Sequence, residues 1–221
     1  MSQASLVAHL INTGALQRQS LASRAMLKTD RALYCKGGVY EDHPEPIGFM
    51  QTISAPHMHA AALELLAPTI LHAASTSHAV SILDVGSGSG YLTAALARMA
   101  NDAGSIDTTV VGVETVEELA NLSLKNIRSD DKALASMISI VVSDGWEGYP
   151  DRAPYDVIHV GAAADTFPIA LGDQLTEGGV MVLPLGEPGT QMYTRCSKAK
   201  GEITCEPIEA VMFVPLIHRG M

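Results

Sequence analysis

The spacing of apolar residues changes about a third of the way along the chain. Before residue 80, apolar side chains recur at helical intervals, as Leu6 and Leu10 do. Pro56 opens a further helical stretch, because the first turn of a helix does not need the missing N–H of proline. A segment rich in glycine and proline, residues 35–48, precedes it. The predicted helices of this region cover residues 5–12, 20–28 and 56–66.

From residue 81 onward, short β-branched runs alternate with helical stretches. The predicted strands cover residues 81–85, 109–114, 138–143, 156–160 and 179–184, and the predicted helices cover residues 91–100, 116–128 and 167–175. Such alternation is typical of a parallel sheet with helices on both faces. Residues 191–197 and 210–215 are predicted to close the fold as an antiparallel pair.

These patterns predict one doubly wound, Rossmann-like α/β domain over residues 1–221. Residues 1–80 would form a helical region that covers the ligand sites, and residues 81–221 would form the α/β core. A length of 221 residues suffices for one substantial core.

The composition is that of an ordinary soluble globular protein, with 47% apolar and 17% charged residues. The apolar runs are strand-length, far short of the roughly 20 residues of a membrane-spanning helix. Residues 1–10 lack the basic and apolar segments of a secretory signal. We therefore expect no membrane partner and a cytoplasmic location.

Net charge and cysteine spacing further limit the kinds of partner and the compartment that we expect. The formal net charge is 14 − 24 = −10, and an acidic surface repels phosphate backbones, so we expect no nucleic-acid partner. Cys35, Cys196 and Cys205 are widely spaced and include no Cys-x-x-Cys pair. That spacing argues against a disulfide scaffold or a zinc site and suits a reducing compartment.

A glycine-rich turn follows the first predicted strand of the core. Gly86, Gly88 and Gly90 alternate directly before a predicted helix. Glycines allow a sharp turn and let a ligand lie against the backbone. A tight turn without a ligand is the simpler alternative, but it does not need three alternating glycines.

The glycine spacing and Asp84 indicate which nucleotide the turn binds, and two further acids indicate where its ribose and adenine would lie. Dinucleotide sites use Gly-x-Gly-x-x-Gly, whereas here the third glycine comes one position early. Asp84 would crowd a pyrophosphate but suits the cationic amino and sulfonium groups of S-adenosylmethionine. Glu114 ends the second strand, where a carboxylate binds ribose hydroxyls, unless it is only a solvated charge. Asp144, beside Gly145 after the third strand, is placed to bind the adenine amine, although an Asp-Gly turn also explains the pair.

Several strings resemble the protein-L-isoaspartate (D-aspartate) O-methyltransferase family. They are Ile47-Gly48-Phe49-Met50-Gln51-Thr52-Ile53-Ser54-Ala55-Pro56-His57-Met58-His59, Asp84 to Gly90, Tyr155-Asp156-Val157-Ile158-His159-Val160-Gly161-Ala162-Ala163, Pro184-Leu185-Gly186 and Phe213-Val214-Pro215-Leu216. The Thr-Ile-Ser-Ala-Pro-His-Met-His string is the most specific, and the strings span nearly the whole chain in order.

The resemblance implies an enzyme that methylates the free carboxylate of L-isoaspartyl and D-aspartyl residues in damaged proteins and peptides. It implies S-adenosyl-L-methionine as cofactor, with S-adenosyl-L-homocysteine as product, and we expect a monomer. Ser54 falls on the family's active-site serine. Substrate-binding positions would be Thr52, Ser54, Ala55 and Val214. Cofactor-binding positions would be Gln51, Thr52, Ile53, Ser54, His59, Asp84, Gly86, Ser87, Gly88, Glu114, Asp144 and Gly145.

Two departures from the family accompany this resemblance. Ile217 stands where eukaryotic members commonly have threonine after the Val-Pro-Leu string, so a hydroxyl contact is expected to be missing. The chain ends at Met221, shortly after that string, so we expect no contribution from a longer tail.

Read from the residues alone, Ser54 has two interpretations. It precedes Ala55-Pro56, where the backbone is pushed toward extended geometry, so its side chain should project from a loop. A serine there also suits the cap of the following helix. His57 and His59 suggest a metal site, but no further ligand cluster completes it. His159 and Trp146 are interpreted mainly as packing residues.

Three rival functions stay open at this point. An NAD-dependent oxidoreductase would need the longer glycine spacing. A methyltransferase of the same fold that acts on another carboxylate keeps every motif named above. A non-catalytic adaptor would not need Ser54 together with an intact glycine-rich turn.

Overall fold

The computed structural model describes residues 2–77 and 79–219, so the predicted domain limits, Met1 and Met221, lie outside the described residues. The helices are α1 (Gln3–Thr13), α2 (Leu21–Lys28), α3 (Pro56–Thr76), α4 (Tyr91–Asp102), α5 (Glu117–Asp130) and α6 (Ile169–Asp173). The strands are β1 (Glu45–Gly48), β2 (Gln51–Ile53), β3 (Ala79–Val85), β4 (Asp107–Glu114), β5 (Ile138–Val142), β6 (Tyr155–Val160), β7 (Leu175–Leu185), β8 (Met192–Ala199) and β9 (Glu202–Ala210).

Seven strands form the central sheet in the order β5-β4-β3-β6-β7-β8-β9. The strands β3 to β7 run parallel, and β8 and β9 complete the sheet as antiparallel neighbours. The chain builds outward from β3 to β5 and then returns to the other side of β3 with β6. The carboxyl end of β3 therefore lies at the switch point, where open α/β sheets bind ligands.

The predicted α/β alternation is confirmed, but in the first half β1 and β2 pair as a short antiparallel hairpin that was not predicted, and one helix is longer than predicted. The helix predicted to end at residue 66 continues as α3 to Thr76, through Pro68. Its last turns bury Ile70, Ala73 and Ala74 against the core, and this apolar face keeps the helix intact beyond the proline.

Two predictions for the second half were wrong. The helix predicted at residues 167–175 is the single short turn of α6, and Leu175 already belongs to β7. The strand predicted at residues 210–215 lies earlier, as β9, whose exposed polar residues hide the strand pattern. Residues 211–219 are instead an irregular segment, called here the C-terminal segment.

The cysteine prediction also needs a correction. Cys196 on β8 and Cys205 on β9 lie directly opposite each other and form a disulfide, whereas Cys35 is free and buried. The nine-residue separation in sequence does not reveal the pair, because only the hairpin register brings the two side chains together. Cysteine spacing therefore gives no support for a reducing compartment.

Among the helices within the described ranges, none is both long and apolar enough to cross a membrane.

Candidate active site

The glycine-rich turn adopts backbone conformations that only glycine reaches easily. Gly86, Gly88 and Gly90 have φ values of +75°, +54° and +89°. Gly90 is the residue before α4, so the turn opens directly onto that helix. The N–H groups of Gly86 and Ser87 donate to the carbonyl of Val113, which fixes the turn against β4.

Glu114 ends β4 beside this turn and is only 6% exposed. Its Oε2 accepts a hydrogen bond from Gly88 N at 3.0 Å, and its Oε1 accepts from Thr115 N at 2.8 Å. Val116 N also donates to Oε1 at 3.1 Å and the Thr115 hydroxyl donates to it at 3.4 Å, so Oε1 is fully occupied. Each carboxylate oxygen has about two acceptor positions, so Oε2 keeps one for a further donor. The structure thus places this acid where the sequence predicted a ribose-binding group.

Three adjoining hollows surround the carboxyl ends of β3, β4 and β6. The strand-end cavity, about 60 Å³, is lined by Gln51, Thr52, Gly86, Gly88, Val113, Glu114, Thr115, Gly145, Gly161, Ala162, Val214, Pro215, Leu216 and Ile217. The loop cavity, about 40 Å³, is lined by Thr52, Ile53, Ser54, His59, Asp84, Gly86, Ser87, Gly88, Ser89, Tyr91, Leu92, His159 and Gly161. The groove, about 590 Å³, is lined by Pro44, Thr52, Ser54, Ala55, His57, Met58, Gly161, Glu209, Ala210, Val211, Met212, Phe213 and Val214. Thr52 and Gly161 line all three.

Asp84 lies at the floor of the loop cavity and is only 1% exposed. Its Oδ2 accepts from Thr93 Oγ1 at 2.5 Å, and its Oδ1 lies 2.8 Å from His159 Nδ1. Two partners therefore fix the orientation of this buried carboxylate. His159 is buried and hydrogen-bonded as predicted, but it also lines the loop cavity and so belongs to the candidate site as well as to the core.

His59 lies at another wall of the loop cavity, with its ring 4.8 Å from that of Tyr91. Burial, and then the positive charge of Arg31, hold the pKa of His59 well below its usual value. The imidazole is therefore neutral at pH 7 and offers one donor and one acceptor nitrogen.

Four buried polar atoms around the loop cavity lack a hydrogen-bond partner. They are His59 Nδ1, Ser87 Oγ, Ser89 Oγ and Tyr91 Oη. Buried polar atoms without partners are rare in folded proteins, and such a cluster indicates a polar ligand that satisfies them. The residues present therefore fit the charged amino-acid end of S-adenosylmethionine.

Ser54 follows β2 and lines both the loop cavity and the groove. It does not cap α3, because the residue before that helix is Ala55, which makes no side-chain cap bond. Asp42 accepts from His57 N at 2.9 Å instead, so a different side chain satisfies the start of α3. The structure thus contradicts the capping interpretation of Ser54.

The C-terminal segment crosses the carboxyl edge of the sheet and covers the site. Ala163 N donates to the carbonyl of Val214, and Leu216 N donates to the carbonyl of Ala163, each at 2.7 Å. Val214 lines both the strand-end cavity and the groove. These two backbone hydrogen bonds therefore hold in place the wall that Val214 contributes to the strand-end cavity and to the groove.

Asp144 is tied to the C-terminal segment and does not line the strand-end cavity, whereas Gly145 does. Its Oδ2 lies 3.1 Å from His218 Nδ1 and accepts from Arg219 N at 3.0 Å. Burial would raise the pKa of Asp144, but hydrogen bonds from Trp146 N, Arg219 N and His218 outweigh it and lower the pKa.

The sequence predictions missed several lining residues. Gly161 and Ala162 follow β6, and their place at the carboxyl end of a central strand was a usable signal. Leu216 had no signal other than its position in the Val-Pro-Leu string, whereas Ile217 stands out in the sequence as a departure from the family. The two histidines 57 and 59 face different hollows, and no group of three or more potential metal ligands occurs within residues 2–77 and 79–219.

The sequence profile of the family "Protein-L-isoaspartate(D-aspartate) O-methyltransferase" matches residues 1–221. The chain belongs to this family. A protein-L-isoaspartate O-methyltransferase from Caenorhabditis elegans is 42% identical over 198 residues, with 88% of this chain and 84% of the relative covered. One from Triticum aestivum is 43% identical over 223 residues, with 97% and 91% covered.

A solved structure agrees with this membership. A Plasmodium falciparum chain, assigned as a protein-L-isoaspartate O-methyltransferase and crystallised with S-adenosyl-L-homocysteine, superposes with a TM-score of 0.88. It is 33% identical, and the match covers 98% of this chain and 99% of that one. Family membership and the α/β architecture predicted from the sequence are both confirmed.

Ile217, where this chain departs from the family pattern, lies in the wall of the candidate site. Ile217 lines the strand-end cavity with an apolar side chain. The residues 214–217 contribute apolar side chains to this cavity, and Glu114 and Thr115 contribute polar ones.

Proposed function

We propose that this protein transfers a methyl group from S-adenosyl-L-methionine to the free carboxylate of L-isoaspartyl and D-aspartyl residues in damaged proteins and peptides. One observation carries the proposal. Ser54, on the string most specific to the family, lines both the polar loop cavity and the open groove. A cofactor in the first and a peptide in the second would meet at this hydroxyl.

The proposed cofactor site extends across the strand-end and loop cavities. Glu114 and Gly88 would hold the ribose, and Gly145 and Gln51 would border the adenine side. Asp84, His59 and Ser87 would hold the amino-acid end, with Ile53 and Gly86 completing the wall. When bound, S-adenosylmethionine supplies a methyl group activated on a sulfonium. We propose that Asp144 also contributes to cofactor binding, but indirectly. Its hydrogen bonds to residues 218 and 219 hold in place the C-terminal segment that closes the site.

The proposed substrate site is the groove. Thr52, Ala55 and Val214 line it beside Ser54, and exposed Met212 lies at its rim. The groove is far larger than the other two hollows, which suits a peptide chain. Glu209 contributes the negative charge at the β9 end of the groove.

The proposed reaction does not require a side chain that acts as a general acid or base. A substrate carboxyl group has a pKa of about 4 and is already ionised at neutral pH, so no general base is needed. Ser54 would donate a hydrogen bond that orients one carboxylate oxygen, about 3 Å from the methyl carbon, while the groove walls exclude water. The resulting methyl ester loses methanol as a backbone nitrogen attacks it, and the succinimide forms without further help from the protein.

We also propose that residues 1–221 act as one domain and as a monomer. Residues of the first 80, including Thr52 and His59, line the same cavities as residues of the sheet, which supports a single functional unit. Light scattering after gel filtration tests the monomer, which a dimeric mass at assay concentration would contradict.

The decisive experiment measures transfer of labelled methyl from S-adenosylmethionine to matched peptides. The peptides share one sequence and carry L-isoaspartyl, D-aspartyl or L-aspartyl at one position. We expect transfer to the first two and almost none to the third, because the carboxylates differ in their distance from the backbone. Equal rates on all three would contradict the repair function and leave a less selective carboxyl methyltransferase.

A further inference from the structure

Arg31 is a fully buried arginine without an ion-pair partner. Its side chain is 0% exposed, its one hydrogen bond to an oxygen atom is a long one, 3.4 Å from Nη2 to the carbonyl of His43, and the Cys35 thiol lies beside the guanidinium. Nε and Nη1 have no partner at all. Burying an unpaired charge is costly, so an unpaired buried guanidinium needs an explanation.

The acids near Arg31 are engaged elsewhere. Glu45 and Asp42 are close enough to influence Arg31 electrostatically. Asp42 lies 2.9 Å from His57 Nδ1, however, and Glu45 lies 3.2 Å from His43 Nδ1. Neither forms an ion pair with the guanidinium.

A second buried arginine shows that this fold can supply hydrogen-bond partners to a buried guanidinium. Arg98 on α4 donates to Asp130 Oδ2 at 2.7 Å and to Thr29 Oγ1 at 3.0 Å. Arg98 therefore has the partners of a structural arginine, and the missing partners of Arg31 are a local feature.

Arg31 lies next to Tyr91, one of the two aromatic side chains that form a wall of the loop cavity. Its Cζ lies 5.8 Å from the ring centre of Tyr91, whose ring lies 4.8 Å from that of His59. Tyr91 and His59 both line the loop cavity, each with an unpartnered polar atom. Burial raises the pKa of Tyr91 to about 12, so its hydroxyl keeps its proton as a donor. With His59 neutral, Arg31 is the positive charge behind this wall.

Asp84, an acidic side chain, lies at the floor of the same cavity. The floor and the wall thus complement an amino acid, with the ammonium toward Asp84 and the carboxylate toward Tyr91 and His59. We propose that Arg31 is a positioning residue that holds the carboxylate of the cofactor's amino-acid end in the loop cavity, acting through Tyr91 and His59. This inference rests on the proposed function, since it takes S-adenosylmethionine as the ligand.

Calorimetric titration with two ligands tests the inference. The ligands are S-adenosylmethionine and its decarboxylated form, which lacks only the carboxylate. We expect Arg31→Met to lower the preference for the carboxylate-bearing ligand roughly 5- to 30-fold, as expected for one charge acting across a single residue in a protein interior. Arg31→Lys should recover much of that preference, because the charge is kept.

Arg98→Met is the matched control. It removes a buried arginine of the same size, so it should lower the thermal midpoint while leaving the ratio of the two affinities unchanged. If Arg31→Met weakens both ligands equally, or changes neither, Arg31 is only structural and the inference is wrong. If the ratio falls as expected but no isoaspartyl peptide is methylated, the inference stands and the proposed function fails.

A measurement on the wild-type protein covers the case in which Arg31→Met does not fold. The Nε–H signal of Arg31 can be followed by nuclear magnetic resonance and assigned with Arg31→Lys. S-adenosylhomocysteine should shift this signal, and 5′-methylthioadenosine, which lacks the amino-acid end, should not. Equal responses to the two ligands would overturn the inference.

Discussion

Gly88 and Glu114 are joined by a 3.0 Å hydrogen bond from the backbone N–H of the glycine to Oε2 of the acid. The glycine-rich turn and the end of β4 therefore form one hydrogen-bonded unit. Glu114 has two tasks in consequence, because it shapes the turn and offers the remaining acceptor position of Oε2 to a ligand.

The first prediction concerns this dual role. Glu114→Ala should weaken binding of S-adenosylmethionine by roughly 1.5–3 kcal/mol, or about 10- to 150-fold, since a charge-assisted acceptor is lost. Glu114→Gln keeps one carbonyl oxygen and should lose less. Calorimetry measures both, and unchanged affinity in the alanine variant would remove the ribose assignment.

Ser54→Ala should slow methyl transfer roughly 10- to 1,000-fold, the range seen when one positioned hydrogen-bond donor is lost. Its thermal midpoint should stay near that of the wild type, because Ser54 caps no helix. Ser20→Ala is the contrasting control. Ser20 does cap α2, accepting from Ser23 N at 3.0 Å, so its loss should cost about 0.5–2 kcal/mol of stability with turnover unchanged. A lowered midpoint with full activity in Ser54→Ala would reverse the assignment.

Gly90→Ala should destabilise the protein more than Gly104→Ala. Both residues have nearly the same φ, +89° and +91°, so the backbone strain of the two variants is alike. A Cβ at Gly90 would lie 2.5 Å from Ser123 Oγ, whereas a Cβ at Gly104 would meet nothing within 4 Å. We expect about 1 kcal/mol from Gly104→Ala and roughly 1–3 kcal/mol more from Gly90→Ala. Denaturant unfolding measures both, and equal losses would show that the turn tolerates the extra methyl group.

The lowered pKa of Asp144 predicts a pH dependence of stability. A carboxyl group whose folded pKa lies below its unfolded value stabilises the protein above the unfolded pKa, about 4, and loses that contribution as the pH falls through the folded pKa. Asp144→Asn should therefore be less stable than wild type at pH 7, by roughly 0.5–1 kcal/mol for a partly exposed group. The two unfolding free energies should converge below pH 4. A constant difference across that range would show that charge is not the cause.

Much of the sheet and most of the site were predictable because both follow from local patterns. The runs ending at Asp84 and Glu114 are apolar strands with an acid at the carboxyl end, and parallel strands bring those ends together. The glycine turn is equally local, since its positive φ values select glycine at each alternate position.

The remaining errors come from contacts between distant residues. Nothing near Ser54 in the sequence shows that Asp42 caps α3, and nothing near Asp144 shows that His218 and Arg219 occupy its carboxylate. The Cys196–Cys205 pair likewise depends on hairpin register. Arg31 gave no signal at all, because its significance is the absence of a partner in three dimensions.

A single tryptophan beside the C-terminal segment makes the position of that segment observable by fluorescence. Trp146 is the only tryptophan of the chain; its Nε1 donates to the carbonyl of Leu216 at 3.0 Å, and its ring stacks on His218 with centres 5.4 Å apart. Its emission is therefore sensitive to whether residues 216–218 are in place over the strand-end cavity. Because no other indole contributes, the fluorescence of the unlabelled protein reports directly whether ligand binding changes the contacts between Trp146 and residues 216–218.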